Sequence, residues 1–488
     1  MRGPSPAVPT PAPLATDSGC RPATRTDWLG LCVLLGVAGL LRLGASRGEL
    51  WLDELWTLGP DVLGKITRPW QIFSVIHHEN NHYLNTLVGW ALGPGRAAWE
   101  YRLPSVLAGL VTVGCGWSIG WRRSRGAAWL VAIVLAVSYP LVHYGSEARG
   151  YALAVAGAVA GVDLRERLWA RPRAITAFAT GLVETLGVLA QPVLVCHLAG
   201  LAAVSGWMAW QGIATRDRRA LWQLAALALP GMVFALLYSI DLSRAFNPGG
   251  PVFPLREVQR QVVSLVMGGP LEGAGAPVAG VLGALLLAGV AWWGLRKEPA
   301  AVWVALLGGV VVPSLVLVIE ARHEVYPRYF LVAITAGQVL TSLALATAWN
   351  RGGWRRAAVL VGLLWWGGAT ASHLQRLWSW GRGDAGAVAE LLVRESRRTP
   401  IRYTTDHDFR LRMFLDEGFR SRGWEPPPPP VRPTDTGERE PEWLLRHDFQ
   451  IAPAFPEALV LGRVKWRLRE VSPYSGLSGW STAVYIRE

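Results

Sequence analysis

Apolar runs of roughly twenty residues, divided by short basic or aromatic links, recur from residue 28 to residue 372. The first is 28–44. The others fall at 102–121, 126–143, 148–164, 174–190, 192–211, 219–240, 276–295, 299–319, 329–348 and 354–372. About 20 helical residues are needed to cross a hydrocarbon layer roughly 30 Å thick, so each run predicts a membrane span, about eleven in all. Residues 83–92 are apolar but only about half as long, which predicts an interfacial or re-entrant helix in the first outer loop. After residue 372 the pattern changes. Short alternations at 401–405, 443–445, 466–471 and 483–486 predict strands, and 385–397 has a helical period. Residues 373–488 are therefore expected to form a small extracytoplasmic α/β domain, with Pro426–Pro430 as a stiff spacer.

The head of the chain, 1–27, is rich in Pro and Thr without apolar periodicity and reads as a disordered cytoplasmic tail. No small-residue cleavage site follows the first run, so that run reads as an uncleaved anchor. Charge orients the spans. With the amino terminus inside, the inner segments carry Arg2, Arg21 and Arg25, then Arg122, Arg123 and Arg125, then Arg165, Arg167, Arg171 and Arg173, then Arg216, Arg218 and Arg219. Arg296 with Lys297, and Arg351, Arg355 and Arg356, complete the series. Positive-inside sorting demands that arrangement, and it places the carboxyl terminus outside. Counting 83–92 as a full span would put every later basic cluster on the wrong side.

Composition excludes a soluble enzyme of ordinary make-up: the chain is 51% hydrophobic and 17% charged, against about 25% charged in such proteins. The excess of 48 Lys+Arg over 35 Asp+Glu lies in the short links and forms no nucleic-acid stripe. Cys20, Cys32, Cys115 and Cys196 are scattered, show no metal-ligand spacing and read as packing residues.

The unusual polar residues gather on the outer side. Asp53 and Glu54 sit between Trp51 and Trp56, tryptophans of the kind that mark a membrane–water interface. The same loop holds His77-His78-Glu79-Asn80-Asn81-His82-Tyr83. Later links bring His143 to Tyr151, Gln191-Pro192 and Arg322 to Tyr329, with Arg42 near the outer end of the first span and Glu184 within the fifth. Charge at membrane depth is costly and usually faces a cavity or a partner. Taken singly, each has a plainer reading: Asp53 and Glu54 as solvated loop acids, Glu147 with Arg149 as a local pair, Arg328 as a snorkelling residue, His78 or His82 as a helix cap. Together, four links converging on one face point to a site.

Arg42, Trp51-Leu52-Asp53-Glu54, His78 to Tyr83, Arg102-Leu103-Pro104-Ser105, Ser146-Glu147-Ala148-Arg149 with Tyr151-Ala152-Leu153, and Pro327-Arg328-Tyr329 follow one another in an order that resembles the GT-C glycosyltransferases. Within these the chain is similar to bacterial glycosyltransferase family 39 and to the aminoarabinose-transferase and protein O-mannosyltransferase branches. The resemblance covers about residues 28–372 and rests on order and topology. It departs from the family at His78-Glu79-Asn80-Asn81-His82-Tyr83, where relatives often carry His-Pro-Pro-Leu-Tyr-Tyr, and at Gln191-Pro192, where Thr-His-Tyr is frequent. Both departures bear on sugar and acceptor specificity.

The resemblance implies a multi-pass protein of the inner or plasma membrane. It would transfer a hexosyl or pentosyl group from a polyisoprenyl-phosphate donor to a hydroxyl of a lipid, glycan or protein acceptor. Transfer would occur on the extracytoplasmic face with inversion. Asp53 would be the base, with Glu54 beside it on an extended backbone that turns the two to opposite faces. Arg149 and Arg328, with Arg42 behind them, would hold the donor phosphate, since a planar guanidinium fork suits phosphate. His78, Glu79, His82, Tyr83, Glu147, Tyr151 and Gln191 would meet sugar or acceptor. No cofactor is implied, although Asp53 and Glu147 could share a divalent cation, as in the oligosaccharyltransferase branch. A transporter or flippase of lipid-linked glycans would also need about eleven spans and a cationic cavity, but no acidic base; a membrane scaffold would need neither.

Overall fold

The computed structural model describes residues 22–78, 80–215, 218–245, 253–269, 275–319, 326–433, 435–437, 440–451 and 453–488. The expected tail before residue 22, Glu79 and the segment Arg322 to Val325 lie outside the described residues. The first helices are α1 (Arg25–Ala45), α2 (Leu52–Leu58), α3 (Pro60–Leu63), α4 (Ile72–Val75), α5 (Tyr83–Leu92) and α6 (Ala98–Trp121). There follow α7 (Arg125–Val137), α8 (Tyr139–Tyr144), α9 (Tyr151–Ala170), α10 (Ala174–Ala190), α11 (Leu194–Thr215), α12 (Arg219–Ala226) and α13 (Ala228–Ile240). The bundle closes with α14 (Leu255–Val266), α15 (Ala276–Lys297), α16 (Pro299–Leu306), α17 (Val312–Ile319), α18 (Leu331–Asn350) and α19 (Trp354–Trp380).

Helices stand at each predicted run, and among the described residues seven are long and apolar enough to cross a membrane. Their outward faces are apolar: α1 exposes Val33 and Leu40, α15 Val281 and Leu285, α19 Val361 and Leu364. Such faces suit lipid rather than water. Helix α1 begins after residue 24, inside the expected tail, because Thr24 and Asp27 form a reciprocal capping box. The run expected as one span over 126–143 is broken. Ser138 has an extended ψ of 121°, and α8 restarts with Pro140, whose missing N–H is tolerated only in a first turn. Helix α14 is not visible as an apolar run, because Arg256, Glu257 and Arg260 interrupt it; it buries Val258, Val262 and Leu265.

The sheet domain begins where α19 ends at Trp380, beyond the expected edge at 372. It contains α20 (Ala385–Glu395), α21 (Asp408–Ser421), β1 (Tyr403–Thr405), β2 (Trp443–Asp448), β3 (Ala458–Leu461), β4 (Val464–Ser472) and β5 (Ser481–Arg487). The order is β1-β2-β5-β4-β3, with β1 parallel to β2 and the other pairs antiparallel. Tyr403 lies opposite Trp443, which lies opposite Ile486. Helix α21 and β3 complete the four strands and one helix that periodicity suggests.

This domain sits on the segment between α1 and α5. Trp51 and Leu52 share a core with Leu392, Leu415 and Trp480, and Trp56 stacks on Phe409 with ring centroids 5.5 Å apart. The tryptophans expected as lipid-interface markers are instead packing surface for the sheet domain. At the other end of the bundle the basic links are neutralised: Arg122 and Arg123 pair with Asp163, Glu166 and Glu298, and Arg125 with Asp27. Glu184 belongs there too, paired with Arg165 at 2.7 Å.

Candidate active site

The site is built on α2, the Asn80–Tyr83 segment, the turn between α8 and α9, and the start of α18. Residues 52–58 are helical, not extended. Successive helical side chains diverge by about 100°, and that rotation separates the two acids. Glu54, 0% exposed, turns inward. It accepts from Arg102 Nε at 3.0 Å and Nη2 at 2.6 Å, from the Ala148 N–H at 2.6 Å and from the Trp51 N–H at 3.1 Å. Every lone-pair direction is used, so Glu54 is a structural tie and not a catalytic partner. Arg102, whose remaining donors go to the carbonyls of Ser46, Arg47, Gly48 and Glu49, is the residue that fixes it. The Arg102-Leu103-Pro104-Ser105 motif contained that signal without a role attached.

Asp53 turns the other way. Its Oδ2 lies 2.9 Å from Arg149 Nη1 and 3.1 Å from Arg328 Nη1, while its main-chain carbonyl accepts from Asn80 Nδ2 at 2.7 Å. Asn80 also takes Arg149 Nη2 through its own Oδ1. Arg149 stacks on Tyr151 at 4.8 Å and on Trp51 at 5.5 Å; Arg328 stacks on Tyr326 at 4.1 Å. Both cations thus have aromatic walls. Among the described residues, Arg149 Nη1, Arg328 Nε and Asp53 Oδ2 are buried without an aligned hydrogen bond. Arg149 Nη1 and Asp53 Oδ2 still meet as an ion pair, whereas Arg328 Nε is buried without a hydrogen bond, which is costly unless something else engages it.

The turn that presents Arg149 is fixed from several directions. Gly150 lies so close to α10 that a Cβ would fall 1.7 Å from the Ala190 carbonyl. That carbonyl accepts from His82 Nδ1 at 3.2 Å, which leaves His82 Nε2 to accept from Arg149 Nε at 3.3 Å. Burial first, and then Arg149, hold the His82 imidazole well below its usual pKa, so it is neutral. Asn85 Nδ2 donates to the Ala148 carbonyl at 2.6 Å.

The other expected site residues divide. Tyr151 and His82 are at the arginine cluster. Gln191 caps α10 beside the Ala190 carbonyl. His78 donates to the Trp56 carbonyl at 3.4 Å, and burial lowers its pKa. Tyr83 is turned away and donates to Asp241 Oδ2 at 2.7 Å, where His77 holds the other oxygen at 2.6 Å. Glu147 is fully buried, with Arg382 and His143 each 3.0 Å from its Oε1 and its Oε2 without a hydrogen-bond partner among the described residues. Arg42 is also withdrawn. It fits against Gly109, where a Cβ would lie 2.3 Å from its Nε, and donates to the carbonyls of Ala38, Leu135 and Ala136. It joins α1 to α7 and holds no phosphate. A divalent cation shared by Asp53 and Glu147 does not fit, because each carboxylate faces guanidinium groups. Arg382, Asn80 and Asp241 had no role assigned from sequence.

An apolar cavity of about 160 Å³ lies between α9, α11, α16 and α18. Its near wall, Val155 and Val332, is one helical turn from Tyr151 and Arg328, and its far end is at Arg165 and Glu298.

No protein-family model matches the chain, and no curated protein matches it. Solved structures do. ArnT from Cupriavidus metallidurans in the apo state aligns over 95% of this chain and 98% of its own, at 14% identity and a TM-score of 0.50. The same protein bound to undecaprenyl phosphate aligns over the same shares, at 15% identity and a TM-score of 0.48. The Archaeoglobus fulgidus oligosaccharyltransferase, tethered to an acceptor peptide containing the NVT sequon, aligns over 84% of this chain and 61% of its own, at 12% identity and a TM-score of 0.45. The near-complete alignment to apo ArnT establishes the architecture: a helical membrane bundle with a small carboxyl-terminal sheet domain, the fold of that structure.

Proposed function

We propose that this protein transfers a sugar from a polyisoprenyl-phosphate donor to an acceptor hydroxyl on the extracytoplasmic face of the membrane. The amino terminus is cytoplasmic and the sheet domain outside. The observation that carries this reading is the meeting of Arg149 and Arg328 on one oxygen of Asp53, with Arg328 Nε buried beside it without a hydrogen bond. Two arginines against one carboxylate leave a positive charge in a half-dry pocket, which suits a phosphodiester anion. The apolar cavity one turn below gives a prenyl chain dry surroundings.

The chemistry follows from charge. The acceptor oxygen attacks the anomeric carbon, the bond from that carbon to the phosphate oxygen breaks with its electron pair, and configuration inverts. The acceptor proton passes to Asp53. That step neutralises Asp53 just as the departing phosphate gains its second negative charge, so Arg149 and Arg328 exchange one anion for the other. Stabilisation grows in the transition state, where it accelerates reaction. His82, neutral and fixed to Ala190, orients Arg149. The sugar and the acceptor are set by the neighbouring surface of the first loop, including His78.

The test is donor use by Arg149→Ala and Arg328→Ala. Each is expected to weaken binding of a polyprenyl phosphate by about 10- to 100-fold, the effect of losing a charge-assisted bond of about 1.5–3 kcal/mol. Arg149→Lys restores part, because a point charge cannot reproduce the fork. Full affinity in both alanine variants would place the phosphate elsewhere; intact binding with no transfer to any acceptor, while lipid-linked sugar crosses the membrane, would favour a flippase.

A further inference from the structure

Arg149 has two carboxylates to choose between. One is Asp53, which it meets; the other is Glu147, two residues earlier in the same turn. Glu147 is 0% exposed, and its Oε2 has no hydrogen-bond partner among the described residues. A buried anion with an open oxygen would draw the nearest guanidinium toward itself. Burial alone would raise the Glu147 pKa, but Arg382, followed by His143 and Arg149, holds it well below the usual carboxylate range.

Arg382 stands just after α19, where the sheet domain begins, and its side chain reaches into the bundle. Its Nε donates to Glu147 Oε1 at 3.0 Å, its Nη1 to the Ala45 carbonyl at 3.2 Å, and its Nη2 to the His143 carbonyl and Ser146 Oγ, both at 2.9 Å. All three guanidinium nitrogens are engaged; Glu147, Ser146 and His143 lie on or next to the turn that bears Arg149, and Ala45 ends α1. Glu54 secures the other side of that turn through the Ala148 N–H.

We propose that Arg382 is a positioning residue: by engaging Glu147 it keeps Arg149 turned toward Asp53 and the donor phosphate. The two inward acids, Glu54 and Glu147, each have a dedicated arginine, Arg102 and Arg382, so the two site arginines stay available. The sheet domain thereby contributes to a site whose reacting groups lie in the membrane bundle. This assignment rests on the phosphate-binding reading of Arg149.

The test uses full-length protein in detergent micelles, with binding of undecaprenyl phosphate, and of undecaprenol as the uncharged control, read by tryptophan fluorescence. Arg382→Ala is expected to weaken undecaprenyl phosphate binding by about 10- to 100-fold, the range of coupling between contacting charged groups. Arg382→Lys falls between. The deciding variant is Arg382→Ala with Glu147→Gln, which removes the competing anion and is expected to recover binding to within about fivefold of wild type. Unfolding midpoints taken on the same preparations separate the roles: affinity that merely follows the midpoint across these variants overturns the positioning role. If Arg382→Ala does not fold, the double variant decides alone: near-wild-type affinity supports the assignment, and affinity as weak as that of Arg149→Ala overturns it. Unchanged binding in Arg382→Ala overturns the positioning role while leaving the site intact. A wild-type protein that does not distinguish undecaprenyl phosphate from undecaprenol overturns the site reading, and this assignment with it.

Discussion

Replacing Glu54 by glutamine keeps the shape of the side chain and removes what it does. Glu54 receives four hydrogen bonds, two from Arg102 and one each from the amides of Trp51 and Ala148. An amide has one acceptor oxygen and one donor nitrogen. Whichever way it turns, one end sets donor against donor, and Arg102 keeps its charge at 0% exposure without a counter-ion. Removing one partner of a buried pair costs about 3–5 kcal/mol. The unsatisfied donors, about 1–3 kcal/mol each, are largely the same loss counted differently. Glu54→Gln should therefore remove about 3–5 kcal/mol of a total that is typically about 5–15 kcal/mol. Equilibrium unfolding in mixed micelles reads the loss, with Asp61→Asn as control: Asp61 pairs with Arg420 at 74% side-chain exposure, and such pairs contribute little. Activity should fall as well, since the Ala148 amide ties the arginine-bearing turn to Glu54. A Glu54→Gln protein that unfolds with wild-type and Asp61→Asn midpoints would refute the scaffold role and return Glu54 to the reacting groups.

Two further outcomes are expected. Gly150→Ala forces a Cβ against the Ala190 carbonyl, so the turn must shift; a loss of about 1–3 kcal/mol in unfolding and weaker polyprenyl phosphate binding are expected together, and an unchanged affinity would contradict so tight a contact between the turn and α10. Glu417 on α21 has its pKa raised to about 7 by burial, opposed by the Leu50 amide and reinforced by Glu49. An acid that holds its proton longer when folded makes stability fall as pH rises from the ordinary carboxylate range to about 7, and level off above it. Glu417→Gln should flatten that slope in unfolding midpoints taken between pH 4.5 and 8; a slope unchanged by the substitution would contradict it.

Helices stand at every apolar run because span length and charge placement answer to the bilayer, which leaves a strong linear trace. Helix α14 left none, since its apolar residues are one stripe among charges. The site was legible in part. Asp53, Arg149 and Arg328 come together as their motifs suggested. Glu54 did not follow, because its role depends on a backbone rotation that an acidic dipeptide does not encode. Arg42 and Glu147 resemble site residues in type and depth, but bury their charge on carbonyls and on another arginine. Arg382 was illegible for the opposite reason: nothing in Gly-Arg-Gly-Asp after a span indicates contact with residues more than two hundred positions earlier. Trp51 and Trp56 carry the signature of lipid contact, yet a domain surface competes for the same apolar rings.

The central claim is that Asp53 takes the acceptor proton while Arg149 and Arg328 hold the phosphate. Asp53→Asn separates those roles in one protein. The amide keeps the volume but cannot accept the proton, and it no longer competes as an anion for the two guanidinium groups. The decisive measurement is single-turnover transfer from a polyprenyl-phosphate sugar, with undecaprenyl phosphate affinity measured on the same preparation. Turnover should fall by about 10²- to 10⁴-fold, with affinity unchanged or tighter. Wild-type turnover in Asp53→Asn, or a loss confined to phosphate affinity, would contradict the account.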